Sequence, residues 1–561
     1  MTTCCRLGLW FSLIIFGLGV QTLWGTQMHV PEENPEYPFL LAMETRGLLD
    51  SPLPATRPWI KSDVAEHLKT LLKKTGRLSG TEREILQMLV NRYRPELSDL
   101  KHPRLAEEDS VHAFPLHIRE DLQRKVSRSI ISEPDYLFLF ETEDEYLFLQ
   151  GDGLLRLENK NELFRFSGHV GFRGFAQMGN VSVFGEAMAY GQTFKDGFME
   201  DPVESRRYYT HTDSVLSLAT FDNAMGYIQL NTKAGLFTLG NDFLSWGYGE
   251  NSMTLSGETA PFPYMMWQKY FYRSRFTFFH GSLLNAKYTL SEDGHSRIYP
   301  EKYIAGHRLE MYPRKNLSFA FSEFVVYGLR NMEWTYFIPA AFIWSAEHNL
   351  DDRDNVLMSF EAQWQPVRGI KIHGNFFLDE LDFRELGTQW WGNKHGTQIG
   401  LNISLPVISG GEFFFERSQV RPWTYTHYKD VNTFTHKGDC LGFFAGPNSR
   451  VYTLGVRGWL TSAQSFIFSF QSVKKGKELL PESHPDYYPI GSDANQNYYQ
   501  RNKGYDYKTE NLMGDVEKIM SLHVEWQYQM LNNMWLNISW QPQWNEGDMT
   551  HYGRLEWQVK H

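Results

Sequence analysis

The sequence predicts a mainly β fold: a large antiparallel outer-membrane barrel of about 16–18 strands, preceded by a small α-helical bundle. Three observations predict it. The chain opens on an export leader. From near Tyr146 to the last residue, apolar side chains fall on one parity and polar side chains on the other. The alternating segments also outrun the roughly 5–6-residue strands of soluble sheets and reach the about 9–11 residues that a membrane strand needs.

Arg6 supplies a positive start, Leu7 to Val20 an apolar stretch too short to span a bilayer, and Leu23-Trp24-Gly25 a cleavage motif. Residues 1–25 therefore read as a signal peptide. Cys4 and Cys5 precede the apolar stretch, where a lipid-bearing cysteine does not belong. Cys440 then stands alone and cannot form an intrachain disulfide.

Residues 35–130 read as a helical module and linker on the periplasmic side. Tyr37–Leu49 carries Phe39, Leu40, Met43, Leu48 and Leu49, and Gly47 fits a helix stop. Arg57-Pro58-Trp59 breaks the chain. Ser62 or Asp63 is expected to cap a second helix, with Val64, Leu68, Leu71 and Leu72 on one stripe. Gly76 and Gly80 separate a third, for which Thr81 and Glu84 are expected to form a capping box. The module is expected to pack on the mouth of the barrel, and the charged residues 100–133 to be a linker.

Residues 136–561 read as the transmembrane barrel. In 164–178, Phe164, Phe166, Val170, Phe172, Ala176 and Met178 oppose Arg165, Ser167, His169, Arg173 and Gln177. The same alternation recurs at 356–364, 370–378, 397–405, 522–528 and 534–541. The segment 553–559 fits as a closing strand. The polar faces hold charges of both signs, so that face is expected to see water. Long polar connections at 195–213, 241–268, 328–354, 380–396, 422–449 and 474–515 are assigned outside, some of them folding inward as a plug. No later stretch approaches 18 apolar residues; the greasiest, Phe337–Ala346, is short and contains Pro339. If the chain lies in a membrane, it must close, because lipid does not tolerate an open sheet edge.

Composition agrees without deciding. Of 561 residues, 42% are hydrophobic, and mean hydropathy is −0.44, as half-wet strands require. The 40 Phe, 29 Tyr and 17 Trp suit aromatic girdles or sugar-stacking surfaces alike. A net charge of −11 argues against a nucleic-acid partner.

Three stretches make the chain similar to the Wzi family of outer-membrane capsule assembly proteins. The first runs from Tyr37 to Leu49 and on to Thr56-Arg57-Pro58-Trp59 and Val64–Leu68. The second is Trp246-Gly247-Tyr248-Gly249-Glu250-Asn251, leading to Ala260–Pro263. The third is Phe337-Ile338-Pro339, then Asp354–Phe360, then Gly369–Glu380. The resemblance implies an 18-stranded barrel with a helical bundle on the periplasmic side. It also implies a lectin-like role in holding exported capsular or other surface polysaccharide.

The residues themselves offer no nucleophile elbow, no HExxH, no CxxC and no phosphate loop, so neither catalysis nor a cofactor is expected. Asp379, Glu380, Asp382 and Glu385 read first as a solvated acidic loop, with a glycosidase pair or a calcium site as rivals. Candidate polysaccharide contacts are Trp246, Glu250, Asn251, Asp379, Glu380, Trp390, Trp391, Asn393, Tyr498 and Tyr499, where aromatic faces meet sugar rings and Asn, Asp and Glu meet hydroxyls. Tyr487, Tyr488, Tyr505 and Tyr507 share the last tract. His169, His373 and His523 sit on lumen-facing parity and read as wet lumen residues, not metal ligands. The expected partners are outer-membrane lipid, surface polysaccharide and periplasmic export machinery. The rivals are a porin, which would conduct ions, and a barrel enzyme acting on envelope glycan or lipid, which would need Glu250 or Asp379. A soluble propeller lacks its internal repeat here.

Overall fold

The computed structural model describes residues 27–31, 33–93, 95–97, 112–113, 136–141, 145–193, 210–213, 218–380, 382–385, 387–531 and 533–560. The expected signal peptide, nearly all of the expected 100–133 linker and most of the 195–213 connection lie outside these residues.

Eighteen long antiparallel strands close into a barrel. In chain order they are β1 (Glu145–Lys160), β2 (Leu163–Met178), β3 (Val181–Thr193), β4 (Leu218–Thr232), β5 (Gly235–Asp242) and β6 (Phe262–Phe271). There follow β7 (Ser274–Leu283), β8 (Lys302–Arg314), β9 (Leu317–Gly328), β10 (Asn355–Val367), β11 (Ile370–Glu380) and β12 (Lys394–Leu405). The last six are β13 (Ser409–Val420), β14 (Ser449–Thr461), β15 (Gln464–Lys477), β16 (Asp515–Leu531), β17 (Met534–Asn545) and β18 (Asp548–Lys560). Closure comes from β18 pairing with β1, from Tyr552 opposite Lys160 to Lys560 opposite Asp152. The connections 243–261, 284–301, 329–354, 381–393, 421–448 and 478–514 all leave from one end, while tight turns join the strands at the other. The expected 241–268 connection is shorter, because Phe262 to Gln268 already pair with β5.

Parity holds along the wall. Phe164, Phe166, Val170 and Phe172 point outward and are exposed, Val170 at 68%. Their polar neighbours point inward, where Arg165 meets Glu158 at 2.7 Å and Arg173 meets Asp152 at 2.6 Å. Water is not what several lumenal charges meet. Arg308, Glu310, Glu361, Glu412, Glu416 and His373 are all buried, against the expectation for His373. They tolerate burial because each faces an opposite charge or several donors.

Three helices fill the tight-turn end: α1 (Glu36–Thr45), α2 (Lys61–Leu72) and α3 (Gly80–Arg92). Their core of Phe39, Leu40, Met43, Leu68, Ile85 and Leu89 takes in Trp459 from β14, whose ring meets Phe39 edge-on at 6.1 Å. Two helix starts differ from expectation. The residue before α2 is Ile60, with no side-chain cap, so neither Ser62 nor Asp63 caps it. The capping box of α3 is Ser79 with Glu82, not Thr81 with Glu84, and Gly80 belongs to the helix. The earlier start lets Glu82 accept from Gly410 N at 2.8 Å, at the start of β13, and from Arg46 Nη1 at 2.5 Å.

Glu82 thus caps a helix and ties it to the barrel. Glu82→Ala is expected to cost the module about 2–4 kcal/mol, read as an earlier loss of helical circular dichroism in denaturant. The heat-dependent gel shift of the barrel should not change. A variant as stable as wild type would show that the box carries no load.

Candidate functional site

Two of the long connections fold into the lumen. Residues 243–261 descend first. Ser245–Trp246 pairs with Leu255–Ser256 on one side and with Thr56–Arg57 on the other, joining plug and N-terminal segment in a three-stranded sheet. Trp246 is wholly buried, edge-on to Phe279 at 5.3 Å and beneath the guanidinium of Arg308 at 5.7 Å. Gly247, at φ 155°, leaves Ser252 its space, and a Cβ on Gly249 would collide with Glu416. Glu416 therefore reaches the plug backbone. It accepts from Glu250 N at 2.8 Å, Asn251 N at 3.2 Å and Asn251 Nδ2 at 2.9 Å. Glu250 itself is held by Arg457 at 2.8 and 3.0 Å.

Residues 421–448 descend second. Tyr425 and Phe434 are buried and stack at 5.7 Å, and Phe377 packs against both. Asp379, at the end of β11, accepts the backbone N–H of Tyr425 at 2.5 Å. Lys394 bridges Asp379 at 3.4 Å and Glu380 at 2.8 Å. Asp379 is thus a buried strand-end residue beside Lys394, not part of the solvated acidic loop that the sequence suggests. Arg384 hydrogen-bonds Asp382 and holds its carboxyl down at about 2.

An aromatic rim sits over this second plug. Lys394 Nζ lies 4.7 Å from the Tyr498 ring centre, and Trp391 meets Tyr498 at 5.1 Å. Arg501 covers one face of Trp391 at 3.7 Å and pairs with Asp506 at 2.8 Å. Asn393 Nδ2 donates to Glu385 O at 2.8 Å, so Asn393 staples its own loop. Trp391 and Asn393 are buried, Trp390 half-buried, and Tyr499 is 65% exposed beside Tyr428, stacked at 5.1 Å. Tyr505 and Tyr507 are exposed next to them.

Asp379, Glu380, Trp390, Trp391, Asn393, Tyr498 and Tyr499 therefore come together at one rim. Trp246, Glu250 and Asn251 lie apart, inside the first plug. Lys394, Arg501, Tyr428 and His427 were missed from sequence; each sits in a segment where only the folded contacts mark it out. Among the described residues, only Glu347, His348 and Asp352 offer three ligand atoms within 4.8 Å, and the Glu347 carboxylate already accepts from Asp354 N. A cavity of about 490 Å³ lies between module and wall, lined by Arg92, Gln527, Trp535, Asn537 and Arg554.

His427 meets Tyr498 edge-on at 5.9 Å and accepts from Lys429 N at 3.2 Å. Burial, then the charges of Lys394 and Lys429, pushes its pKa down to about 3. The folded rim holds the neutral ring, while the unfolded loop takes a proton near pH 6.5. Stability is therefore full above about 6.5 and lost as pH falls toward 3. Proteolysis within 478–514 should accelerate across that window, and His427→Gln should flatten the dependence. An unchanged profile in the variant would put the titration elsewhere.

The chain is similar to the solved structure of Wzi from Escherichia coli, described as an outer-membrane protein of group 1 capsule assembly and a carbohydrate-binding β-barrel. The TM-score is 0.53 at 12% identity, over 95% of this chain and 99% of that one. Pseudomonas aeruginosa OprD aligns with a TM-score of 0.40 at 12% identity, over 74% of this chain and 95% of its own. OpdK of the same organism, solved with vanillate, aligns with a TM-score of 0.42 at 9% identity, over 74% and 98%. No curated protein matches the chain in sequence. The family model of the capsule assembly protein Wzi matches residues 143–549, which is most of the chain, and the protein belongs to that family.

Proposed function

We propose that the protein is an exported outer-membrane barrel that retains capsular or other surface polysaccharide, lectin-like and without catalysis. The observation that carries the reading is the rim. The stacked pair Tyr428 and Tyr499, with Trp390, Tyr505 and Tyr507 nearby, offers amphipathic rings at the end where the long connections gather. Sugar rings present C–H faces to such platforms, and phenol hydroxyls bond their edges. Glu380 adds a half-exposed carboxylate beside Lys394. Trp391, Asn393, Tyr498 and Asp379 hold this surface in shape, while Trp246, Glu250 and Asn251 hold the plug beneath. The tight-turn end, closed by the helical module, faces the periplasm in this reading and is the surface open to export machinery. The exposed apolar wall faces outer-membrane lipid.

Deletion of the gene is expected to leave total polysaccharide unchanged but shift it from cells to medium. Tyr428→Ala with Tyr499→Ala should reproduce the shift and weaken binding of the isolated glycan by about 1–2 kcal/mol, roughly 5- to 30-fold. Retention that survives both changes would end the reading.

The porin rival is answered by planar-bilayer conductance. Glu416 holds the first plug through three donors, so Glu416→Ala should conduct severalfold more than wild type. Equal, large conductance in both would favour an open channel.

A further inference from the structure

The connection 329–354 does not stay above the barrel. We infer that it folds down the outside of the wall and forms a strap whose outer face lies in the lipid bilayer, at its interface. Parity fixes the side. Arg308 and Phe324 point inward to Trp246. Their neighbours on β7, β8 and β9 must point outward: Phe278, His280, Ala305, His307, Leu309, Glu323, Val325 and Tyr327. On an uncovered wall these would be exposed, as Leu239 (66%) and Met265 (45%) are on β5 and β6. Instead all eight are buried.

The strap buries them. Tyr336, Ile343 and Ala346 pack on Ala305, Val325 and Tyr327. Phe337 stacks on His280 at 4.1 Å, and Ala340 packs against Phe278 and Leu309. Glu323 lies 3.1 Å from the His307 ring on the outer face, where lipid would penalise a carboxylate. The backbone N–H groups of Ile343 and Trp344, opening the short helix α4 (Ile343–His348), donate to Glu323 at 2.8 and 2.7 Å. The strap thus shields the pair.

The strap's other face remains. Residues 334–346 contain no charged residue and no histidine. Trp334 is 81% exposed, and Ile338, Phe342 and Trp344 are exposed with it. Water would not favour such a patch, and it borders the apolar wall: Met265, 45% exposed, pairs with His280, on which Phe337 stacks. Tryptophan beside aliphatic side chains suits the headgroup–acyl boundary. The occupant is therefore bilayer lipid, not a second protein.

The test is spin labelling of the cysteine-free mature protein (Cys440→Ser) refolded into phosphatidylcholine vesicles. Labels go at Trp334→Cys and Trp344→Cys, with Leu239→Cys as the wall control and Tyr499→Cys as the rim control. The heat-dependent gel shift confirms that each variant is a closed barrel. Labels on the strap should behave as at Leu239: collisions with oxygen kept, and collisions with a water-soluble nickel chelate reduced severalfold relative to Tyr499. Free access to nickel would overturn the inference. Shielding from both reagents, with a dimer by cross-linking, would replace lipid with a second copy and overturn it too.

Discussion

The structure depends on carboxylates that the barrel wall turns inward and keeps dry. Glu412, Glu416, Glu361 and Glu310 each sit on a strand, and each accepts from something that is not a strand. Glu412 takes Thr45 Oγ1 at 2.6 Å from the end of α1. Glu310 takes Ala55 N and Thr56 Oγ1, both at 2.8 Å. Glu361 takes Thr254 Oγ1 at 2.9 Å and Arg308 at 2.7 Å. Glu416 takes the plug at Glu250 and Asn251. One partner comes in the other direction: Glu44 of α1 receives Lys371 from β11 at 2.9 Å. Removing one member of such a set strands a buried charge, at a cost of about 3–5 kcal/mol. Module, plug and wall are locked by the same groups, so none of them moves alone.

That constraint separates this barrel from an open pore of the same strand count. A lumen 18 strands wide is roomy enough for water. Here much of it is filled by Trp246, Met253, Tyr425, Phe434 and Phe443, an apolar core built from two inward-folded connections. Apolar filling alone would not fix orientation. The carboxylates supply direction, because a backbone N–H or a hydroxyl must face each one.

Much of this was legible in the sequence. Period-two patterning reports which side of a strand is greasy, and the wall obeyed it at Phe164–Phe172. The stretch from Trp246 to Asn251 carried its own signal in Gly247 and Gly249, since both positions exclude a side chain. What patterning cannot report is the environment of the polar face. His373 reads the same whether it meets water or Glu416. The cap of α3 was misplaced for a related reason: Thr81 and Glu84 fit the local rule as well as Ser79 and Glu82 do. Only the tertiary partner Gly410 favours the second pair. Lys394 and Arg501 were invisible because their meaning lies in Tyr498 and Trp391, brought together from separate connections.

The surplus of aromatic residues resolves into distinct tasks once burial is known. Trp246 is plug, and Phe279 is inner wall packed against it. Phe164 and Phe172 are outer wall. Trp334 and Trp344 cap a strap over a region of wall that carries Glu323 and His307. Tyr428 and Tyr499 remain: stacked on each other, Tyr499 exposed and Tyr428 half-buried with the Lys429 ammonium over its ring, rather than set in more apolar surface. Lipid gives no reason for a ring to sit beneath an ammonium group. In the proposed reading a polyhydroxylated chain gives two, since it stacks on the exposed ring and bonds the polar groups around it. The composition left girdle and sugar platform indistinguishable; the polar neighbours of this pair are what favour the platform.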